Sequence, residues 1–512
     1  MQLLLGLAGK SARAPGGADP SMTRFPMAAL ALSVTVLLPS AVRGDADDVQ
    51  VPNVLSAPSP AAVIAYDQPK IAIAHVRVLD GTGAQPREDQ TVLIERGKIA
   101  ASGPSASTSI PSGATTIDGS GETLIPGLVG THDHLYFVSG GPLFIVREMP
   151  FSFPRLYLGA GVTTIRTAGS VEPYTDLHLD EAIRRGELVG PHMDVTSVYM
   201  TGWEPFFVQM GALRSPAEAK ASVDFWADRG VSSFKLYTSL PPGIARAVIA
   251  EAHARHRKVL AHLCSIGFIE AARMGVDSLE HGLLIDTEFT PGKKPGVCPS
   301  DAAAVRRSIA ALDVNGPQVR ALIRAMLAHH VALSSTLANF EGAVPQPEAV
   351  AQRMFDLEDA ETVADIKQVR EALAKRSATE IADRKAWFDK ERAFEVAYLR
   401  AGGLLTQGPD PTGYGSTIAG LGDQRDIELM AEAGLTPLEA IRVATLNGAI
   451  ALGRDRTIGS IARGKNADLV LLRGNPAANI ADVENVVTVF KDGVGYDSAK
   501  LLASVRGKVG RQ

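Results

Sequence analysis

A chain of 512 residues with 46% apolar and 21% charged residues has the material for a large core and for two or three structural units. Its net charge of −5, with no dense Lys/Arg stripe, excludes the electrostatic footprint of a nucleic-acid binder. Two cysteines, Cys264 and Cys298, exclude a disulfide scaffold and a cysteine-rich zinc module, and leave one bridge open in an oxidising compartment.

The first element in chain order reads as an export signal. Residues 22–48 read "MTRFPMAALALSVTVLLPSAVRGDADD", with a basic Arg24, an uncharged apolar stretch of 12 residues from Met27 to Leu38, then small and acidic residues. That stretch is too short for a comfortable membrane span. Residues 1–45 are therefore expected to be a signal region and 46–66 a Pro/Ala-rich linker. The mature protein is expected to be periplasmic or secreted, with no stable membrane span.

Two separated segments, 67–126 and 456–505, carry alternating apolar residues broken by "DGTG" and "KDGVG" turns, the pattern of β-hairpins. Neither holds enough strands to stand alone, so the two are expected to pair in one composite β-sandwich. Between them, in 127–455, strand-like runs alternate with helical patterns. The runs are "GLVGTH", "GVTTIRT", "HMDVTSV", "VSSFKLY", "KVLAHL", "DSLEH", "VALSST" and "GLLTQG". Eight strands interleaved with helices predict an α/β fold, a (β/α)8 TIM barrel. A doubly wound sheet is disfavoured because no glycine-rich phosphate fingerprint follows an early strand. The stretch from about 341 to 400 is long for one connection and reads as charged amphipathic helix, either a cap over the site or a solvated helical hairpin.

Residues at the C-terminal ends of barrel strands share one pocket. Strand one ends in His132 and His134, whose i, i+2 spacing points both imidazoles to one face. Strand four carries Lys235, strands five and six end in His262 and His281, and strand eight runs into Asp410. Each residue alone has an ordinary structural role open to it: a hydrogen-bonded His, a snorkelling Lys, a turn Asp before proline. Jointly, HxH, Lys, His, His and Asp on successive strands are hard to obtain by accident.

This order resembles the amidohydrolase superfamily, whose recurrent patterns match "LIPGLVGTHDH", "LEHG", "AGLTPLEAIRVATLNGAIALG" and "GSIARGKNADLVLL" over about residues 70–500. The resemblance implies two divalent metal ions, with Zn²⁺ best suited and Mn²⁺, Co²⁺ or Fe²⁺ compatible with imidazole and carboxylate. It implies one metal on His132, His134 and Asp410, and the other on His262 and His281. Lys235, carboxylated by carbon dioxide, would bridge them. It further implies hydrolysis, with Asp410 accepting the proton of the attacking water and returning it to the leaving amine.

The segment 408–449 is most similar to the imidazolonepropionase-like branch, with its Xaa-Pro and Xaa-Arg dipeptidases, N-acyl-amino-acid hydrolases and ochratoxin amidases. That implies a small-molecule substrate with a linear amide. Two departures bear on it. "GVTTIRTAG" places Thr167 where relatives carry Asp, and "YMTGWEPFF" replaces a Gly-Gly-His loop after strand three. Trp203 and Phe206 make that loop more apolar, which favours a bulky or aromatic acyl group. Tyr237 is a candidate hydrogen-bond donor to substrate, with core packing as its other role. Cyclic-amide (hydantoinase-like) and lactone hydrolysis, or a non-catalytic metal-binding role, are the alternatives. Homo-oligomerisation is compatible with the chain.

Overall fold

The computed structural model describes residues 59–139, 145–203, 205–412 and 417–510, so the expected export signal lies outside the described residues. Eight parallel strand positions circle a common axis. In chain order they are Leu128–Asp133, Val162–Thr167, a third in two pieces (His192–Asp194 and Thr196–Thr201), Ser233–Thr238, Lys258–Leu263, Ser278–Glu280, Ala332–Ser335 and Leu405–Gln407. Strand eight returns to strand one through Gln407 and Gly130. The break in strand three lets its first piece pair with strand two and its second with strand four. Leu128–Asp133, Val162–Thr167 and Ala332–Ser335 are buried at every position, because helices cover the outer face of a parallel sheet while side chains fill its inside.

Strands one and eight approach too closely for side chains between them. A Cβ on Gly408 would lie 2.2 Å from the backbone nitrogen of His132, so only glycine fits in "TQGPD". The residue two positions on, Asp410, is thereby held against strand one.

The two flanking segments meet in one separate nine-stranded sheet. Its seam is the antiparallel pairing of Glu122–Pro126 with Leu469–Arg473. One face buries Ile71, Ile73, Val92, Ile94, Leu469 and Phe490 in a core distinct from that of the barrel. The expected linker is shorter than its composition suggested. Ile64–Tyr66 forms a strand antiparallel to Val494–Asp497, anchored by buried Val63 just before it.

The long excursion after strand seven is helical: Leu337–Glu341, Glu348–Phe355, Ala360–Ala374 and Ala378–Arg400. Ser377 caps the last of these by accepting from the backbone N–H of Glu380. That helix is not a solvated hairpin. Trp387, Phe388, Phe394 and Tyr398 are buried along it, and Trp387 packs edge-on against Phe340. Among the described residues, no helix is long and apolar enough to cross a membrane.

Candidate metal centre

The C-terminal ends of the barrel strands bring His132, His134, Lys235, His262, His281 and Asp410 to the wall of one cavity. All six residues expected as metal ligands are therefore together. Nε2 of His134 lies 3.0 Å and Nε2 of His132 3.9 Å from Oδ1 of Asp410. The His132 and His281 rings are 4.5 Å apart, and those of His281 and His262 4.4 Å. Two of the six, His281 and Asp410, have left-handed backbones, with φ of 66° and 51°. That conformation is unfavourable for non-glycine residues and is held here by the surrounding fold.

Three of the imidazoles are oriented from behind. Nδ1 of His134 meets the carbonyl of Gly169 at 3.0 Å, Nδ1 of His281 meets Oγ1 of Thr336 at 2.8 Å, and Nδ1 of His132 bonds a carboxylate oxygen of Glu280. The carbonyl and the carboxylate only accept, which leaves Nε2 of His134 and of His132 with its lone pair free, the arrangement a metal-ligating histidine requires; the Thr336 hydroxyl is able to accept from His281 in the same way. Glu280 is fully buried and is itself held by Ser278, whose hydroxyl donates at 2.7 Å, and by Arg166 at 3.6 Å.

The protonation states fit the same role. Burial, together with the nearby Lys235, pushes His132 down to about 4, and His262 and His281 lie well below the usual imidazole range for the same leading reason. These rings are neutral near pH 7. Burial opposes the charge on Asp410, but its contact with His134 and the nearby His132 and Lys235 hold the carboxyl below its usual range.

Lys235 is the most informative member. Its side chain is 1% exposed, and its Nζ makes no hydrogen bond. Burial brings its pKa down to about 8, so the amine that would react with carbon dioxide is within reach of neutral pH. A buried amine without a partner is costly. As a carbamate it would offer two anionic oxygens to cations, so the residues fit a binuclear centre.

The rest of the wall is aromatic. Tyr136, Tyr199, Phe207, Tyr237 and Phe340 line it with Val138, Asn339 and Thr412. The hydroxyls of Tyr136 and Tyr199 are 2.6 Å apart, and that of Tyr199 lies 3.4 Å from Nε2 of His134. Burial holds both phenols well above their ordinary range, so they stay protonated donors. Tyr237, expected from the sequence, packs between Tyr199 at 5.1 Å and His262 at 4.8 Å. Trp203 is placed differently from its expected substrate contact. It is 71% exposed, carries the Arg214 guanidinium over its ring at 4.9 Å, and does not line the cavity. Phe207 takes the inward position on that loop. Thr167, at the position of the expected Asp, accepts the backbone N–H of Thr196 at 2.9 Å and ties strand two to strand three.

Sequence reasoning did not find Tyr136, Tyr199, Asn339 or Glu280. Tyr136 carried a signal, since it follows His134 at the same i, i+2 spacing. Glu280 stood beside His281 in "SLEHG".

Comparison with known proteins gives a consistent picture. The model of the amidohydrolase family matches residues 123–495. An enamidase from Eubacterium barkeri is 41% identical over 80 residues, which are 16% of this chain and 20% of that protein. An imidazolonepropionase from Desulfotalea psychrophila is 44% identical over 62 residues, 12% of this chain and 15% of that protein. The chain thus matches a fifth or less of the length of these curated relatives. Among solved structures, a Xaa-Pro dipeptidase with bound methionine is 22% identical, with a TM-score of 0.62 over 84% of this chain and all of that one. The ochratoxinase of A. niger is 16% identical, with a TM-score of 0.59 over 83% of this chain and 95% of that one. These two likenesses are of fold.

Proposed function

The chain belongs to the amidohydrolase family, and from that membership we propose that it is an exported, metal-dependent hydrolase of a linear amide. The substrate class is a dipeptide or an N-acyl amino acid with a bulky or aromatic group. The observation that carries this reading is the convergence of four histidines, Lys235 and Asp410 on one cavity whose remaining wall is largely aromatic.

His132, His134 and Asp410 would hold one cation, His262 and His281 the other, and carboxylated Lys235 would join them. Bound there, divalent ions such as Zn²⁺ supply Lewis-acid polarisation of a carbonyl and a lowered pKa for water. The chain's own groups then do the following. Asp410 presents a carboxylate to the cavity, able to accept a proton from water and to return it to the departing amine. Tyr136 and Tyr199 offer neutral hydroxyl donors within reach of the same space. Phe207, Tyr237 and Phe340 give an apolar surface against which a ring or a large alkyl group loses water.

The relatives' names support amide hydrolysis as the reaction: a dipeptidase and an ochratoxinase among the structures, an enamidase among the sequences. Export rests on the apolar stretch Met27–Leu38 behind Arg24. The test is a panel of N-acyl amino acids, dipeptides, hydantoins and lactones assayed with metal-loaded protein. Cleavage of N-aromatic-acyl amino acids or aromatic dipeptides is the expected result. Turnover confined to hydantoins or lactones would replace the linear-amide reading with a cyclic one.

A further inference from the structure

A second group of metal-capable side chains lies away from the cavity. His192 opens the first piece of barrel strand three, Asp468 immediately precedes sheet strand Leu469–Arg473, and Asp492 sits in the turn between Val486–Lys491 and Val494–Asp497. Nε2 of His192 is 3.6 Å from Oδ2 of Asp468 and 3.3 Å from Oδ2 of Asp492. One ligand atom from each of the three lies within 4.8 Å of the others.

We propose that His192, Asp468 and Asp492 form a third divalent-cation site, a Zn²⁺-type clip that fastens the barrel to the flanking sheet. Donors at about 2.0–2.2 Å around a tetrahedral ion stand ~3.4 Å from one another. The two distances from His192 bracket that value. Asp468 supplies an independent reason to expect a ligand. Its side chain is 2% exposed, and Oδ2, directed at His192, accepts no hydrogen bond. An unsatisfied buried carboxylate oxygen is costly unless a cation or donor meets it.

The carboxylates are already fixed in place. Oδ1 of Asp468 accepts the backbone N–H of Asp492 at 2.8 Å, so each orients the other. The Asp492 turn is pressed against a second turn, since a Cβ on Gly97 would fall 2.7 Å from the carbonyl oxygen of Asp492. Asp492 is 51% exposed on its side chain, which leaves a fourth position open to water. The ammonium of Lys491, 3.9 Å from Oδ2 of Asp492, offsets part of the carboxylate charge and sets an upper bound on how tightly a cation is held.

This site is separate from the cavity. His192 begins strand three, and Tyr199, the cavity residue of that strand, is seven positions further on, about 20 Å along an extended chain. Its occupancy can therefore be read without an assay for hydrolysis, and its failure would leave the central reading intact.

The test is elemental analysis of full-length protein equilibrated with Zn²⁺ and passed through a desalting column, comparing the unaltered chain with His192→Gln and Asp492→Asn. The unaltered chain should retain one more Zn²⁺ per chain than either variant, and added Zn²⁺ should raise its unfolding temperature by more than it raises theirs. Because the count is a difference, it does not depend on how many ions the cavity holds. Asp492 is half exposed and its Asn replacement preserves shape, so that variant carries the test should His192→Gln fail to fold. Equal Zn²⁺ counts in all chains would overturn the site and leave a histidine salt-bridged between two carboxylates.

Discussion

Asn339 donates a side-chain N–H to Oδ2 of Asp410 at 2.7 Å, while Oδ1 of the same carboxylate faces His134 at 3.0 Å. The two oxygens are thus assigned to different partners, and Asn339 fixes the rotation of the carboxylate about its last bond. Asn339→Leu keeps the volume and removes the donor. A hydrogen bond to a charged group is worth ~1.5–3 kcal/mol, so kcat should fall about 10- to 100-fold. Metal content should hold, and elemental analysis beside kinetics checks both.

Asp410 itself should behave differently. Asp410→Asn retains an oxygen near His134 but cannot accept the proton released by the attacking water. Turnover should drop on the order of 10²–10⁴-fold, the scale of a positioned acid–base group, while much of the metal remains. Near-normal turnover in a metal-replete variant would remove Asp410 from the proton pathway.

Lys235→Ala takes away the buried amine that is proposed to become a carbamate. The barrel should keep its circular dichroism, because the change removes an unpartnered polar group rather than a packing contact. Metal and activity should both fall. Short carboxylic acids such as acetate should restore part of each by entering the vacated space, and full metal content in the variant would exclude the bridge.

Glu358 provides a stability signal independent of catalysis. It is 4% exposed with neither carboxylate oxygen hydrogen-bonded, and burial pushes its pKa up to about 8, helped by neighbouring Asp359. The folded state therefore binds a proton that the unfolded chain releases near pH 4.3. Between those values the folded form holds more protons, so stability falls as pH rises from about 4.3 toward 8. Glu358→Gln should abolish that portion of the slope. Unfolding temperatures at pH 5, 6.5 and 8 should converge at the acid end, with the variant higher at the alkaline end.

Cys264 and Cys298 are joined in a disulfide, with Cα atoms 5.2 Å apart and a sequence separation of 34. The bridge ties the loop after strand five, two residues beyond His262, to the loop after strand six. Closing a loop of that size restricts the unfolded chain by about 3–4 kcal/mol. Denatured, unreduced protein should show no free thiol, and reduction should lower the unfolding temperature. Two titratable thiols would exclude the bridge.

The barrel and its six site residues were legible because each signal was local. A strand reads as an apolar run, and the chemistry stands at its end. What could not be read depends on closure. Asn339 and Phe340 lie on a short helix after strand seven and reach Asp410 and His281 only when the ring is complete. Glu280 stands beside His281 in the chain, yet it serves His132 across the barrel. Strand Ile64–Tyr66 is three residues long and pairs near the other end of the chain, so its stretch read as linker. Trp203 misled through composition: an aromatic residue in a loop near a site is not necessarily turned toward it.

The seam between Glu122–Pro126 and Leu469–Arg473 has a consequence for the order in which the molecule can be finished. Glu122–Pro126, at the edge of the strands made early, keeps that edge open until Leu469–Arg473, near the end of the chain, has been synthesised. Exposed strand edges pair promiscuously, so the early chain is safest when something else occupies it in the meantime.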